Sequence, residues 1–436
     1  MTQNSDTICA ISTAAGVGAI AVIRISGRDA FSISDKIFRS AKEGKSLSGA
    51  KSHRALFGEI VGSDGNVIDE VLATVFRGPN SFSGEDTVEI ACHGSQFIQQ
   101  QILQLLLDKG CRMALPGEFT QRAFLNGKMD LAPAEAVADV IASQNAAAHR
   151  IAFKQMKGGF SPELRDMRSE LLELVSLMEL ELDFSEEEVE FADRSRLDSL
   201  LENLIAHVSR LIDSFRLGNA IKNGVPVAII GAPNVGKSTL LNALLHEEKA
   251  IVSDIQGTTR DVIEDIIQIQ GITFRFADTA GIRKTKDTIE QMGIERSIQA
   301  AEKAKVILFL TEKNQPFPDI EFRDDQVVLQ VINKCDLSLP SSSYLYHREP
   351  EGRLFHISAA NGDGIELLRQ ALVRESAMPM TLDTTNTVVT NVRHYNALKQ
   401  SIDALQRAKQ AFESGIPTDL VAEDLRQCLH YLGEIT

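Results

Sequence analysis

Short alternating runs of apolar and polar residues occupy the first part of the chain. Such alternation is typical of half-buried strands, and the run V-G-A-I-A-V-I-R-I-S over residues 17–26 is the clearest example. It places Arg24 among apolar neighbours. A helix is predicted over residues 97–108, before Gly110. Residues 1–120 are therefore predicted to form an α+β N-terminal domain.

Helical spacing dominates residues 118–215, where apolar residues recur at intervals of three and four. One such stripe consists of Leu197, Leu200, Leu201, Leu204, Val208, Leu211, Ile212 and Phe215. The same spacing returns near the end of the chain, at Tyr395, Leu398, Ile402, Leu405 and Phe412. Residues 121–218 and 377–436 are therefore predicted to be the two parts of one helical domain.

Between these helical parts, strands alternate with helical or polar segments from Val225 onward. This alternation is typical of a parallel sheet that helices cover on both faces. An α/β domain over residues 219–376 is therefore predicted to be inserted into the helical domain. The predicted fold class is multidomain, α/β plus α.

The composition excludes some classes of function. Lys and Arg total 45 against 60 Asp and Glu, and the net charge of −15 argues against binding nucleic acid or anionic membranes through bulk charge. The net charge does not exclude a local basic patch. Residues 1–6 carry no signal pattern and no uncharged apolar run can span a bilayer, so a cytoplasmic protein with no membrane segment is expected. The five cysteines form no C-x-x-C pair and are expected to be buried thiols.

Residues 231–238 read G-A-P-N-V-G-K-S and directly follow a predicted strand. This is the pattern of a phosphate-binding loop (P-loop), in which backbone N–H groups wrap phosphates at a helix N-terminus. Lys237 is expected to reach the outer phosphates, and Ser238 is expected to bind Mg²⁺. The expected contacts of this loop with the nucleotide are Asn234, Val235, Gly236, Lys237, Ser238 and Thr239.

Three further motifs favour GTP over ATP, and each follows a predicted strand: D-T-A-G at 278–281, N-K-C-D at 333–336 and S-A-A at 358–360. A carboxylate at Asp336 can accept two hydrogens from the guanine edge, which adenine does not offer in that pattern. The expected nucleotide contacts are Asp278, Thr279, Ala280, Gly281, Asn333, Lys334, Asp336, Ser358, Ala359 and Ala360. Asp278 is expected to hold Mg²⁺ through water, and Thr259 is expected to cover the metal when the γ-phosphate is present.

Hydrolysis of GTP needs a group that positions the attacking water. In Ras-like GTPases this group is a glutamine directly after D-x-x-G, but here that position holds Ile282, which cannot form a hydrogen bond with its side chain. Carboxylates follow at Asp287, Glu290 and Glu295. The residues alone do not choose among the three, and an exposed helix face accounts for them equally well.

Four longer motifs carry a resemblance that runs along nearly the whole chain. They are I-R-I-S-G at 23–27, G-P-N-S-F-S-G-E-D at 78–86, P-G-E-F-T-Q-R-A-F-L-N-G-K-M-D-L at 116–131 and A-I-V-S-D-I-Q-G-T-T-R-D at 250–261. Through them the chain resembles the tRNA-modification GTPase family MnmE, also called TrmE. The resemblance implies a GTPase that helps to add an aminomethyl or carboxymethylaminomethyl group at C5 of the wobble uridine in certain tRNAs. It also implies a homodimer and a heterotetramer with a flavin-dependent partner, MnmG (GidA).

For the inserted Ras-like G domain, the resemblance implies that Glu290 is catalytic and polarises the attacking water through a second water. It also implies K⁺ in place of an arginine finger, a role that fits because a cation beside the phosphates offsets charge in the transition state. The implied K⁺ ligands are the Asn234 side chain and the backbone oxygens of Ser253, Ile255 and Thr258. The resemblance implies that K⁺ stimulates dimerisation of the G domains, and that this loop becomes ordered when two G domains meet face to face. From the residues alone, Asn234 serves equally well as a loop-stabilising amide. The implied GTP contacts of this second loop are Ser253, Asp254, Ile255, Gln256, Gly257, Thr258 and Thr259.

The N-terminal domain resembles folate-binding domains of the aminomethyltransferase type. The resemblance implies that Arg24, Glu89 and Lys128 bind a tetrahydrofolate one-carbon donor, in the formyl or methylene form. A carboxylate suits the donor and acceptor edge of a pterin, and Arg or Lys suits a glutamate tail or a formyl oxygen. The residues alone favour a plainer interpretation, in which Glu89 lies on the solvent face of a strand. Cys92 and His93 are expected to be a buried structural pair rather than a catalytic one.

The chain departs from the family near its end. The family normally continues beyond this point to a short cysteine-containing motif that the modification reaction needs. Cys428 lies in a helical stripe and is no obvious substitute. GTP hydrolysis is expected to be independent of that motif.

Two other functions stay open at this point. The first is a GTP-dependent interaction switch in RNA or ribosome assembly, whose N-terminal domain only docks partners. Absence of formyl-tetrahydrofolate binding to that domain would favour the switch. The second is an aminomethyltransferase that the G domain merely regulates, and methyl-group transfer without GTP would favour it.

Overall fold

The computed structural model describes residues 6–183, 194–246, 265–276, 300–312, 322–324, 326–337, 353–376, 387–414 and 416–435. The chain divides into two compact units. The first unit comprises residues 1–138, 155–161 and 436, and the second comprises residues 139–154 and 162–435.

A seven-stranded sheet forms the first unit. Its strands are β1 Ile8–Ile11, β2 Ile20–Ser26, β3 Phe38–Ser40, β4 Arg54–Val61, β5 Val67–Phe76, β6 Thr87–His93 and β7 Arg112–Met113. The strand order is β3-β4-β5-β6-β2-β1-β7. Neighbouring strands pair antiparallel, except that β1 and β7 pair in parallel.

One face of this sheet packs into a hydrophobic core. Alternate residues of the central strands, such as Ile23, Val75 and Ile90, are fully buried there, as the two-residue period of a strand requires. Two helices, α1 Ala30–Asp35 and α2 Gln96–Asp108, contribute apolar side chains to the same core. The intervening residues of β2 and β6 therefore project from the opposite face. A third helix of this unit, α3 Glu118–Leu125, follows the short strand β7.

A six-stranded sheet lies within the second unit. Its strands are β8 Val225–Gly231, β9 Asp265–Ile269, β10 Ile272–Phe276, β11 Val306–Glu312, β12 Val327–Asn333 and β13 Leu354–His356. The order is β13-β12-β11-β8-β10-β9, and all pairs are parallel except β9 with β10. Ile229 packs with helices α8 Lys237–His246 and α9 Ile365–Glu375, whereas Ile230 packs with Ala301 and Ala304. Both faces of the sheet are covered, so the predicted α/β architecture is confirmed.

Further helices make up the helical part of the chain. Within the described ranges they are α4 Leu131–Ala142, α5 Ala146–Met156, α6 Ser161–Asp183, α7 Arg194–Asn223, α10 Val392–Glu413 and α11 Thr418–Gly433. Helix α10, which follows the sheet, packs against both α7 and α11. The rings of Phe215 and Tyr395 stack with their centroids 4.4 Å apart. Helices before and after the sheet therefore pack together, as an inserted α/β domain requires.

Two general expectations can be compared with this fold. All five cysteines are free and buried. Among the residues that the structure describes, no helix has both the length and the apolar character needed to cross a membrane.

Candidate functional sites

The loop between β8 and α8 carries the phosphate-binding motif. Gly231 and Gly236 in this loop have φ angles of 153° and 96°. A Cβ at Gly236 would lie 2.3 Å from Asn333 Nδ2, and a Cβ at Gly231 would lie 2.3 Å from the Leu310 carbonyl oxygen. Only glycine fits such close approaches at a positive φ. The loop ends at the N-terminus of α8, where backbone N–H groups are available to donate to a phosphate.

Lys237 lies at the first position of α8 and turns back into the loop. Its Nζ donates to the carbonyl oxygens of Gly231 at 2.7 Å and Ala232 at 2.9 Å. Burial lowers the pKa of Lys237, because desolvation disfavours the charged form of an amine. A phosphate group in the loop would offer this cation a stronger acceptor than a carbonyl oxygen. The partly buried Ser238 follows directly, and its hydroxyl oxygen suits Mg²⁺.

A buried amide joins the phosphate-binding loop to the S-A-A segment. Asn333 is 3 % exposed. Its Nδ2 donates to the Val235 carbonyl oxygen at 2.8 Å, and its Oδ1 accepts from the Ala359 N–H at 3.0 Å. One side chain at the end of β12 therefore holds two loops that follow β8 and β13.

The segment N-K-C-D lies at the end of β12 and is bonded to residues at the ends of both neighbouring strands, β11 and β13. Lys334 has a positive φ of 60°, and its Nζ pairs with Glu312 Oε1 at 2.5 Å. The Cys335 N–H donates to the Ile357 carbonyl oxygen at 3.1 Å. Asp336 lies in the short turn that follows and is partly exposed.

These segments meet at one edge of the sheet. The strands β8, β12 and β13 run in parallel, so the loops after their carboxyl ends lie on the same side. Ligands of open α/β sheets bind at that edge. Ser358 is fully buried beneath it, whereas Ala360 is exposed. The arrangement can hold phosphates at the first loop and a purine base beside Asp336.

Part of the predicted nucleotide site lies outside the described residues: Ser253, Asp254, Ile255, Gln256, Gly257, Thr258, Thr259, Asp278, Thr279, Ala280, Gly281 and Glu290. Asn234 is described. It is exposed, with a φ of 63°. Its amide oxygen is the kind of donor that coordinates K⁺, so this residue fits the implied cation.

The first unit brings two of the predicted folate residues together. Arg24 and Glu89 are opposite each other in the β2–β6 register, on the face away from the core. Arg24 Nε and Nη2 each lie 2.8 Å from Glu89 Oε1. The side chains are 22 % and 28 % exposed, so Glu89 does not simply lie free on a solvent face. Both contacts use the same oxygen, which leaves Oε2 able to accept from a ligand.

Two aromatic rings lie against Arg24. Its Cζ is 5.0 Å from the ring centroid of Phe82 and 5.4 Å from that of Phe119. Cations are attracted to the faces of such rings. Phe82 belongs to residues 78–86, here called the β5–β6 loop. Lys128, the third predicted residue, donates from Nζ to the Pro79 carbonyl oxygen of this loop at 2.8 Å.

Cys92 and His93 do not form the buried pair expected from the sequence. Cys92 faces the core, and burial raises the pKa of its thiol to about 11. The His93 side chain is 69 % exposed, because successive residues of a strand point to opposite faces. Asp69 holds this imidazole, with Oδ1 2.7 Å from Nδ1.

A cluster of charged residues lies beside the β5–β6 loop. Arg122 and Glu118 of α3 are 2 % exposed and pair at 3.0 Å. Arg122 also contacts Asp6 at 2.9 Å and Glu85 at 3.2 Å. Arg112 contacts Glu118 at 2.6 Å, and this hydrogen bond is the main cause that lowers the pKa of Glu118 to about 2.

Comparison with known proteins decides the family. Residues 7–128 match the family model "GTP-binding protein TrmE N-terminus", and residues 131–436 match the model "MnmE helical domain". The chain belongs to the MnmE family. Members of this family carry the name "tRNA modification GTPase MnmE" in the relatives compared.

Two curated MnmE relatives match almost from end to end. The protein from Parabacteroides distasonis is 54 % identical over 439 residues, which cover 98 % of this chain and 95 % of the relative. The protein from Bacteroides thetaiotaomicron is 52 % identical over 448 residues, which cover 99 % and 96 %. Among solved structures, the G domain of the T. maritima FeoB iron transporter is 19 % identical, covering 35 % of this chain and 98 % of its own, with a TM-score of 0.24.

The sequence did not reveal the cluster of charged residues beside the β5–β6 loop of this MnmE family member. These residues are Glu85, in the motif at 78–86, and Glu118 and Arg122, in the motif at 116–131. Their place in these motifs was the one feature of the sequence that could have drawn attention to them. Charged residues in a motif usually indicate an exposed or ligand-binding role. Here they pair with one another, a relation between distant segments that no local pattern reveals.

Proposed function

We propose that this chain is the GTP-hydrolysing component of a complex that modifies the wobble uridine of tRNA, adding an aminomethyl or carboxymethylaminomethyl group at C5. The observation that carries the proposal is the buried Asn333 amide, which joins the phosphate-binding loop to the S-A-A segment next to Asp336. The name of the relatives, tRNA modification GTPase, supplies the substrate class.

In the G domain, each proposed residue has a separate role. Lys237 binds the outer phosphates, and Asp336 selects guanine by accepting two hydrogens from its edge. Ser238 and Thr259 would hold Mg²⁺, and Asn234 with the backbone of Ser253, Ile255 and Thr258 would hold K⁺. Bound cations of this kind offset negative charge that develops on the phosphates. Glu290 polarises the attacking water through a second water, in the role that Ile282 cannot fill.

In the N-terminal domain, Arg24, Glu89 and Lys128 bind a formyl- or methylene-tetrahydrofolate. The half-buried pair of Arg24 and Glu89 supports this role, since a partly desolvated carboxylate binds a donor edge more strongly than an exposed one. Glu89 Oε2 accepts from the pterin, and the cationic groups of Arg24 and Lys128 receive the formyl oxygen or the glutamate tail.

The homodimer is proposed to form through the outer face of the first sheet. Phe57 and Leu72 are opposite each other in the β4–β5 register and are 55 % and 45 % exposed. Leu72 pairs in turn with Ala91 of β6, so the apolar row continues toward β2. Exposed apolar surface of this kind supports a protein interface. The row lies next to Arg24 and Glu89, two residues along the same strands.

Nucleoside analysis of tRNA tests the proposal. The chain is incubated with an unmodified tRNA, the flavin-dependent partner MnmG, a formyl-tetrahydrofolate and either GTP or a non-hydrolysable analogue. We expect a new nucleoside mass at the wobble position in the incubation with GTP and no new mass in the incubation with the non-hydrolysable analogue. GTP hydrolysis with no altered nucleoside, together with no folate binding, would instead favour a GTP-dependent switch in RNA or ribosome assembly.

A further inference from the structure

Two layers of side chains connect the same three segments of the first unit. In the outer layer, Arg24 of β2 contacts Phe82 of the β5–β6 loop and Phe119 of α3. In the inner layer, Ser26 of β2 and Arg122 of α3 both contact Glu85 of that loop. Arg24 and Ser26 share a face of the strand, and residues three apart share a face of a helix. The inner contacts therefore lie directly beside the outer ones.

Glu85 connects the inner layer. Its Oε2 accepts from the Ser26 hydroxyl at 2.7 Å, and both carboxylate oxygens lie 3.2 Å from Arg122 Nη1. Ser83, which is 1 % exposed, adds a hydroxyl contact with Ser26 at 2.6 Å. The Asn126 amide donates to the Ser83 carbonyl oxygen at 2.8 Å. These contacts therefore fix the β5–β6 loop at Ser83 and Glu85, shortly after Phe82.

We propose that Glu85 is a positioning residue of the one-carbon site. By joining Ser26 to Arg122, it holds the β5–β6 loop so that the Phe82 ring lies against Arg24 and the guanidinium stays directed at Glu89. Its effect on a ligand rests on the proposed folate binding, whereas its effect on Phe82 does not. Charge-assisted hydrogen bonds of this kind orient a loop more strongly than neutral ones.

The variant Glu85→Gln tests the proposal with little change in shape. Gln keeps an acceptor for Ser26 but loses the charge that attracts Arg122. Arg122 retains its contacts with Glu118 and Asp6, so it does not become an unpaired buried charge and the domain should still fold. The matched control is Glu59→Gln. It removes an Arg–Glu pair with Arg39 at 2.8 Å on the exposed edge of the same sheet.

The first readout needs no ligand. The chain contains no tryptophan, so Phe82→Trp provides a single fluorescent reporter in the loop. Adding Glu85→Gln to this reporter should shift its emission to the red and increase its quenching by acrylamide. Adding Glu59→Gln should change neither. Unchanged emission in the Glu85→Gln protein would overturn the positioning role.

The second readout is calorimetric titration with a formyl-tetrahydrofolate, in proteins that keep Phe82. The dissociation constant is expected to rise by about tenfold or more in Glu85→Gln and to stay unchanged in Glu59→Gln. Weaker binding with unchanged emission from the Phe82→Trp reporter would mean that Glu85 contacts the ligand directly and would overturn the proposal. No binding to the unaltered chain, together with the expected emission shift, would remove the folate assignment and leave the positioning role supported.

Ser26→Ala provides a second variant if Glu85→Gln does not fold. It removes the hydrogen bond to Glu85 and the hydroxyl contact with Ser83, and it leaves the charge pair of Glu85 with Arg122 in place. The emission of the Phe82→Trp reporter should again shift to the red and the affinity for formyl-tetrahydrofolate should again fall, but both effects should be smaller than in Glu85→Gln. A well-folded Ser26→Ala protein with neither effect would contradict the proposal.

Discussion

Asn333 allows the most detailed prediction for the nucleotide site. Replacing it with alanine removes two hydrogen bonds and leaves the Val235 carbonyl oxygen and the Ala359 N–H without that partner. Each net hydrogen bond contributes about 1 kcal/mol, and a buried group left unsatisfied costs about 1–3 kcal/mol. The expected loss for Asn333→Ala is therefore about 2–4 kcal/mol. Both bonds are present without a nucleotide, so the loss should appear in the nucleotide-free protein.

Two assays measure separately the loss of folding stability and the loss of GTP affinity in Asn333→Ala. Urea unfolding of the nucleotide-free protein should show a lower free energy of unfolding. Titration with a fluorescent GTP analogue should show a smaller effect, a dissociation constant raised by at most about tenfold (about 1.4 kcal/mol), because both hydrogen bonds are already lost before the nucleotide binds. Asn223→Ala is the control, because Asn223 is exposed and its amide donates to Asn219 Oδ1, one turn earlier in α7, at 2.7 Å. Unaltered unfolding and GTP affinity in Asn333→Ala would refute the reasoning.

Two more predictions concern stability. Arg112 lowers the pKa of Glu118 to about 2, so the stability that Glu118 contributes is present above its ordinary value of 4.5 and is lost as the pH falls toward 2. The loss is at most about 3 kcal/mol, and acid titration of unfolding should be shallower over this range in Glu118→Gln. Asn145→Ala removes a hydrogen bond to the Thr273 hydroxyl at 2.9 Å and one from the Ala148 N–H at 2.7 Å. Urea unfolding should show a loss of about 1–2 kcal/mol, and no loss would mean that neither bond is stabilising.

The sequence predicted those parts of the structure that depend on local pattern. The strand, glycine loop and helix from Val225 to His246 follow from residue spacing, since glycine positions and apolar periodicity are read over a few residues. The parallel sheet followed from strands alternating with helices. Strand β9 was not recognised, although it pairs with β10 through a two-residue turn at Gln270 and Gly271.

Relations between distant segments could not be predicted in the same way. Glu85 and Arg122 are separated by 37 positions, and their contact depends on where the β5–β6 loop meets α3. The exposure of His93 depends on the register of β6, because a shift by one residue would exchange it with Cys92. The ion pair of Glu89 was missed for a similar reason, since its partner Arg24 belongs to another strand.

We propose that GTP turnover by this chain depends on K⁺ and on contact between two G domains. GTP turnover measured in K⁺ and in Na⁺, at several protein concentrations and equal ionic strength, tests it most directly. The turnover per chain is expected to rise with protein concentration in K⁺ and to stay low at every concentration in Na⁺. Equal turnover in both salts, independent of concentration, would contradict the account.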